Sequence, residues 1–430
     1  MGSLPVAGSV RGVSTPDAPL APPEPTSRPA LADVVATFDR RYPPATAQAW
    51  DAVGLVAGDP KQRVGKVLFA VDPTAAVVEE AIGWGADLLV THHPLLLRAV
   101  HSVAATTYKG ALLHRLIRAG VGLHVAHTNA DAAAGGVADA LAAAVGLVDL
   151  VPLVPAPAEP LDKHVVFVPV PDAEALIDAL AAAGAGRIGQ YTRAAWSTTG
   201  IGTFTPSAAA HPTIGTAGVV ERVPEARVEM VAPRRLRAGV VEAMRATHPY
   251  EEPAFEVLEL AGWDAGTGIG RVGRLAEPMT LRDFGARVAA CLQPTAQGVR
   301  LAGELGATIS RVAVVGGSGD SMFDAVRKCG ADAYLTADLR HHPVSELRER
   351  ALFEQSPAAP GAVRDTGSGL ARPFLVDVAH FASEWPWLAR AAADLVADLA
   401  IGGTTVVTRV STLRTDPWTA RLASSEGTAL

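Results

Sequence analysis

Cysteine is nearly absent: Cys291 and Cys329 are the only two in 430 residues, too few for a disulfide framework or a thiolate zinc cluster. A reducing compartment is therefore expected, and any bound metal must be held by histidine and carboxylate. An excess of positive charge is also missing. Lys plus Arg number 37 against 44 Asp plus Glu, a formal charge of −7, which removes the broad basic surface that grips nucleic acid through phosphates and leaves only a local basic groove open. No run reaches the ~20 apolar residues that span a bilayer; the most apolar loop, 147–161, is broken by Asp149 and several prolines. The amino terminus offers no h-region to signal peptidase, and Val6 stands where a myristoylation signal needs Ser or Thr. A cytoplasmic protein without a membrane anchor is the expectation.

Apolar residues, by contrast, are plentiful, at 49% against 19% charged. That composition buries a large core and, at ~150 residues per domain, suggests two or three domains. Residues 1–30 hold seven prolines among Ala, Ser and Gly, so a disordered leader is expected there. From Leu31 helical and strand-like runs alternate: helix 31–41, strand 66–71, helix 74–84, strand 87–91, helix 107–119, strand 121–126 and helix 136–145. This βαβ rhythm predicts a first α/β lobe over 31–150 with a largely parallel sheet. The proline-rich stretch 151–160 reads as a linker. A second unit over 163–260 follows the order strand, helix, strands, strand, helix, strand, which is ferredoxin-like. The α/β rhythm resumes over 270–410, so the fold class expected is α/β, two lobes interrupted by an inserted α+β domain. Residues 353–372 read as an exposed loop and 411–430 as a mostly extended tail.

The residues that carry chemistry sit at predicted strand ends, where α/β sheets commonly place their sites. One strand runs into ThrHisHisPro, with His92 and His93. The next ends in HisThrAsnAlaAsp, with His127 and Asp131. A third, over 374–378, runs into a helix bearing His380 and Glu384, four residues apart and so on one face. Each pattern alone is commonplace: a polar turn, a loop acid capping a helix, a surface ion pair. Together they predict a metal site. Adjacent His92 and His93 cannot easily face one ion, which favours two ions bridged by a carboxylate. Nitrogen and oxygen ligation without thiolate suits Zn, Fe, Mn or Co without choosing among them. GlyIleGlyArgValGly at 268–273 matches a dinucleotide fingerprint, but no amphipathic helix follows it, so it is expected to be a decoy. Gly316, Gly317, Ser318 and Gly319 lie between a strand and a helix, where free N–H groups can cradle phosphate or simply make a tight turn. AspLeuArgHisHis at 338–342 offers acid or base groups, or shapes a pocket.

The segments TrpAspAlaValGlyLeu (50–55), ThrHisHisProLeu (91–95), HisThrAsnAlaAsp (127–131), ValGlyGlySerGly (315–319), ThrAlaAspLeuArgHisHis (336–342) and HisPheAlaSerGlu (380–384) resemble, in order and spacing, the Nif-three-like dinuclear-metal family named GTP cyclohydrolase 1 type 2. The resemblance implies a toroidal homohexamer with two divalent ions per chain held by His92, His93, Asp131, His380 and Glu384. It also implies attack of activated water on the GTP imidazole ring with release of formate, His127 or His341 moving protons. The same site would serve phosphodiester hydrolysis. A non-catalytic metal-handling protein with a ligand-sensing insert is a different class that also fits. GlyArgIleGlyGlnTyr (186–191), GlyThrPheThrPro (202–206) and HisProTyrGluGluProAlaPhe (248–255) resemble the PII-like or CutA-like insert of longer members. Ala52 replaces the usual Asn and Ala379 the usual Gly; neither is a ligand.

Overall fold

The computed structural model describes residues 27–355 and 370–422. Leader residues 1–26, loop residues 356–369 and tail residues 423–430 lie outside them. The chain forms two compact units, one from 1–144, 286–300 and 377–430, the other from 145–285 and 301–376.

The first unit is built on a five-stranded sheet in the order Gly54–Ala57, Gly122–Val125, Leu88–Thr91, Lys66–Ala70, Val407–Val410. All neighbouring pairs are parallel except the first, which is antiparallel. The central strands are continuous apolar runs because both faces are covered. Val67, Phe69, Leu88 and Val90 pack on one side with the helices Leu31–Arg41, Val137–Ala144 and His380–Ile401. Leu68, Ala70, Leu89 and Leu123 pack on the other with Ala75–Trp84 and Tyr108–Arg118. Each fully buried Val, Leu or Phe among them contributes roughly 1.5–3 kcal/mol. The helices begin where capping chemistry allows: Thr74 accepts from the Val77 N–H, and Thr107 from the Gly110 N–H. Gly85, at φ 72°, ends the first of these two. The helix His380–Ile401 presents Trp387, Leu388, Ala391, Leu395 and Leu399 as a buried stripe. Arg41 ties it to the first helix through Asp394 at 3.1 Å and Asp398 at 2.8 Å.

The second unit holds two sheets. One has six strands, in the order Arg300–Ala302, Phe374–Val378, Ala333–Ala337, Thr308–Ser318, Asp264–Thr280, Leu147–Pro157. The expected linker at 151–160 is mostly strand: Leu147–Pro157 pairs antiparallel with Asp264–Thr280, from Leu147↔Leu275 to Pro157↔Asp264. Its prolines misled because they lack an N–H, yet an edge strand has one side that needs no donors, and this strand lies at the sheet edge. GlyIleGlyArgValGly lies inside the 17-residue strand that it pairs with, and no helix follows it directly. The other sheet has four antiparallel strands in the order Ala195–Phe204, Glu221–Pro233, Leu161–Pro169, Phe255–Glu259. Helices Ala173–Ala182 and Arg237–Thr247 close one face over Val166, Val168, Val228 and Met230.

Candidate metal centre

Three neighbouring strands of the first unit end side by side, because parallel pairing puts Ala70 beside Thr91 and Thr91 beside Val125. The residues just beyond are Asp72, His92, His93 and His127. The helix that starts at His380 adds His380 and Glu384 from one face. Ala379 caps it with φ −68° and ψ 141°, an extended conformation that Ala adopts freely, so glycine is not needed there.

Each of the three strand-end imidazoles has its Nδ1 engaged. His92 Nδ1 lies 2.9 Å from the Ala126 carbonyl oxygen, His93 Nδ1 2.7 Å from Asp72 Oδ1, and His127 Nδ1 2.8 Å from Asp51 Oδ1. An N–H at Nδ1 donates to each acceptor, which leaves Nε2 with its lone pair; metal-binding histidines are commonly held this way. The holders are themselves fixed. Asp51 accepts from the Thr128 N–H at 3.0 Å and from the Thr128 hydroxyl at 2.5 Å, and Asp72 accepts from the Thr415 hydroxyl.

The three rings pack at centroid distances of 5.1–5.5 Å, with His380 5.1 Å from His93 and Trp387 5.5 Å from His92. Glu384, 3% exposed, sits among them. Its Oε1 is 3.4 Å from His92 Nε2 and 2.9 Å from His380 Nε2, while its Oε2 is 3.1 Å from His93 Nε2. Two trios have ligand atoms mutually within 4.8 Å: His92, His93 and His127, and His93, His380 and Glu384. Asp131, on the short helix Thr128–Ala132, belongs to neither trio, with its Oδ1 3.8 Å from His92 Nε2.

This donor set fits a metal ion. His92 Nε2 and Glu384 Oε2 are buried and make no well-formed hydrogen bond, His92 Nε2 facing Glu384 Oε1 at 3.4 Å and Glu384 Oε2 facing His93 Nε2 at 3.1 Å, a cluster of acceptor atoms that a cation would satisfy. Without metal, protons take that place. Burial disfavours the charged form of His92 and His93, but the Glu384 carboxylate outweighs it and raises both, His93 well above its ordinary value with Asp72 assisting. Burial would raise Glu384, yet His93, His380 and His92 hold it well below the usual carboxylate range. Burial pushes Asp131 up to about 6. Burial and the charge on His92 lower His127.

All five anticipated ligands and His127 thus meet in the first unit. Asp51 and Asp72 were not anticipated. Asp72 carries the same signal as His92, a polar residue just past a buried parallel strand, and Asp51 lies in the TrpAspAlaValGlyLeu segment. His341 and Gly316 to Gly319 belong to the second unit. His341 is exposed in the first turn of the helix His341–Gln355. Gly316, Gly317 and Ser318 end a strand, and Gly319 precedes a 3-10 turn, with its carbonyl accepting from the Tyr334 hydroxyl at 2.9 Å.

Fold and donor set together define an α/β protein with a buried histidine–carboxylate cluster able to hold metal. The model of Duf34/NIF3 (NGG1p interacting factor 3) matches residues 29–417, and the chain belongs to that family. A Mycobacterium tuberculosis protein named GTP cyclohydrolase 1 type 2 homolog is 50% identical over 389 residues, 90% of this chain and 96% of the relative. The solved Bacillus cereus protein related to NIF3 is 34% identical, with a TM-score of 0.67 covering 92% of this chain and all of that one. A Staphylococcus aureus protein structure is 26% identical, with a TM-score of 0.73 over 92% and 99% of the two chains. Among the described residues no helix is long and apolar enough to cross a membrane.

Proposed function

We propose that the chain is a metal-dependent hydrolase whose centre holds two divalent ions through His92, His93, Asp131, His380 and Glu384 and opens a purine nucleotide ring such as that of GTP. The observation that carries this reading is the set of three imidazoles with Nδ1 engaged, two of which, His92 and His93, face the buried Glu384 carboxylate through Nε2 while His127 groups with both. Zn, Fe, Mn or Co bound there would supply the Lewis acidity that brings water towards ionisation at neutral pH and stabilises an oxyanion. Glu384, whose Oε1 faces His92 and His380 and whose Oε2 faces His93, is the carboxylate that would be shared by two ions. His127, kept neutral by burial and oriented by Asp51, accepts or returns a proton at Nε2, or joins His92 and His93 as a ligand. His341 is the second acid–base candidate, and Gly316 to Gly319 are candidate phosphate contacts.

The name of the curated relatives supports a nucleotide substrate. The four-stranded module is read as a ferredoxin-like insert of the PII or CutA type; its order of elements and antiparallel strand arrangement support this. A cytoplasmic homohexamer completes the reading.

Elemental analysis after mild purification should find about two transition-metal ions per chain, and the metal-loaded protein should turn over a member of a panel of nucleotides and phosphodiesters. One ion or fewer at saturation would overturn the dinuclear centre. Two ions without turnover of any panel member would overturn the hydrolase and favour a metal-handling role.

A further inference from the structure

A cleft of about 600 Å³ in the first unit opens onto His93 and Asp72, within the ~300–1,000 Å³ usual for small-molecule sites. Leu95, Leu112 and Ala111 are among its apolar walls. Its charged groups are few, and most are committed. Asp72 is held by His93 Nδ1 and the Thr415 hydroxyl, and Arg115 pairs with Glu79. Lys109 has no carboxylate partner among the described residues. Its ammonium stands 5.9 Å from the centroid of the neighbouring Tyr108 ring, which is 72% exposed. Both residues line the same cleft, in the first turn of Tyr108–Arg118. One uncommitted cation at an apolar-walled opening that ends on a candidate metal ligand selects an anion, and an exposed aromatic ring beside it offers a face for a planar group.

We propose that this cleft receives the substrate of the candidate centre, that Lys109 holds the substrate's anionic group, and that Tyr108 lies against its ring. The substrate class is then an anionic, ring-bearing small molecule. This inference rests on the metal-centre reading for its reacting end, whereas the roles of Lys109 and Tyr108 are read by binding alone.

The test is calorimetric binding of guanosine 5′-monophosphate, guanosine and inorganic phosphate to the purified protein, before and after chelation. Wild type should prefer the monophosphate over guanosine by roughly tenfold or more, the scale of one charge-assisted contact. Lys109→Gln should abolish that preference, Lys109→Arg should restore most of it, and Lys61→Gln, at an exposed site, should leave it unchanged. Tyr108→Ala should weaken both ring-bearing probes and leave inorganic phosphate unaffected. Equal binding of monophosphate and guanosine by wild type, or full preference in a folded Lys109→Gln protein, would overturn the proposal. Metal content, measured on the same samples, fails separately: normal binding with no metal would sink the centre reading and leave the cleft standing.

Discussion

Glu384 is the residue on which the candidate centre turns, because its two oxygens face three imidazoles at 2.9–3.4 Å. Glu384→Gln keeps the size and removes the charge. Cations at the ~3.5–4 Å spacing of two-metal sites repel one another strongly, so this variant should lose at least one ion while its circular dichroism stays native. A surface ion pair, contributing ~0–1 kcal/mol, would give almost no effect; full occupancy in the folded variant would take Glu384 out of the site. His124 is a titrating residue of a different kind, outside the cluster. It is 2% exposed on a central strand, packs 5.3 Å from Phe38, and has an unpartnered Nδ1. Burial lowers it to about 4, whereas an unfolded histidine titrates at ~6.5. Between those values the unfolded chain takes up a proton that the folded one refuses, so stability falls as pH drops from ~6.5 towards ~4, by about 3 kcal/mol in all. Urea melts of wild type and His124→Leu across that range should diverge in slope by most of that amount; parallel curves would mean that His124 charges in place.

At the scale of elements, the antiparallel stem 147–157 with 264–280 is the most informative piece. Its outermost register pair is Pro157↔Asp264, followed by a bond from the Ala158 N–H to the Trp263 carbonyl at 2.8 Å. The four-stranded module therefore hangs on two adjacent chain ends. Replacing 158–263 with Asn-Gly, a pair suited to two-residue hairpin turns, should close the stem and leave metal occupancy unchanged, since every candidate ligand lies in the first unit. A folded deletion protein without metal would show that the module supports the centre. The stem was illegible in the sequence because proline content outweighed its strand pattern. The strands Gly54–Ala57, Arg300–Ala302 and Val407–Val410 were missed for another reason: three or four residues are too few for a period of two to register. Most helices were legible within about three residues, because an apolar stripe over ten or more residues leaves little else that buries it, but His341–Gln355, which buries only Leu347 and Ala351, has no such stripe and was missed, its last turn running into the expected loop at 353–372.

At the scale of the whole molecule, the sequence by itself determined the α/β alternation, the shortage of cysteine for a thiolate metal cluster and the types of ligand available. Those depend on composition, on hydrophobic periodicity and on what directly follows a strand, and all three are local. It also placed His92, His93 and His127 at strand ends, since a buried parallel strand must terminate in the next polar residues. What only the tertiary structure decided is which atoms meet. Parallel register between two consecutive strands set Asp72 against His93, 21 residues on, and packing of Trp387 and Leu388 brought Glu384 back to His92 and His93, which precede it by hundreds of residues. Pairing of Nδ1 with Asp51, Asp72 and the Ala126 carbonyl, which chooses the nitrogen left for a metal, is a matter of ångströms between segments far apart in the chain. No pattern along the sequence encodes such distances; they follow from the sum of packing across the sheet.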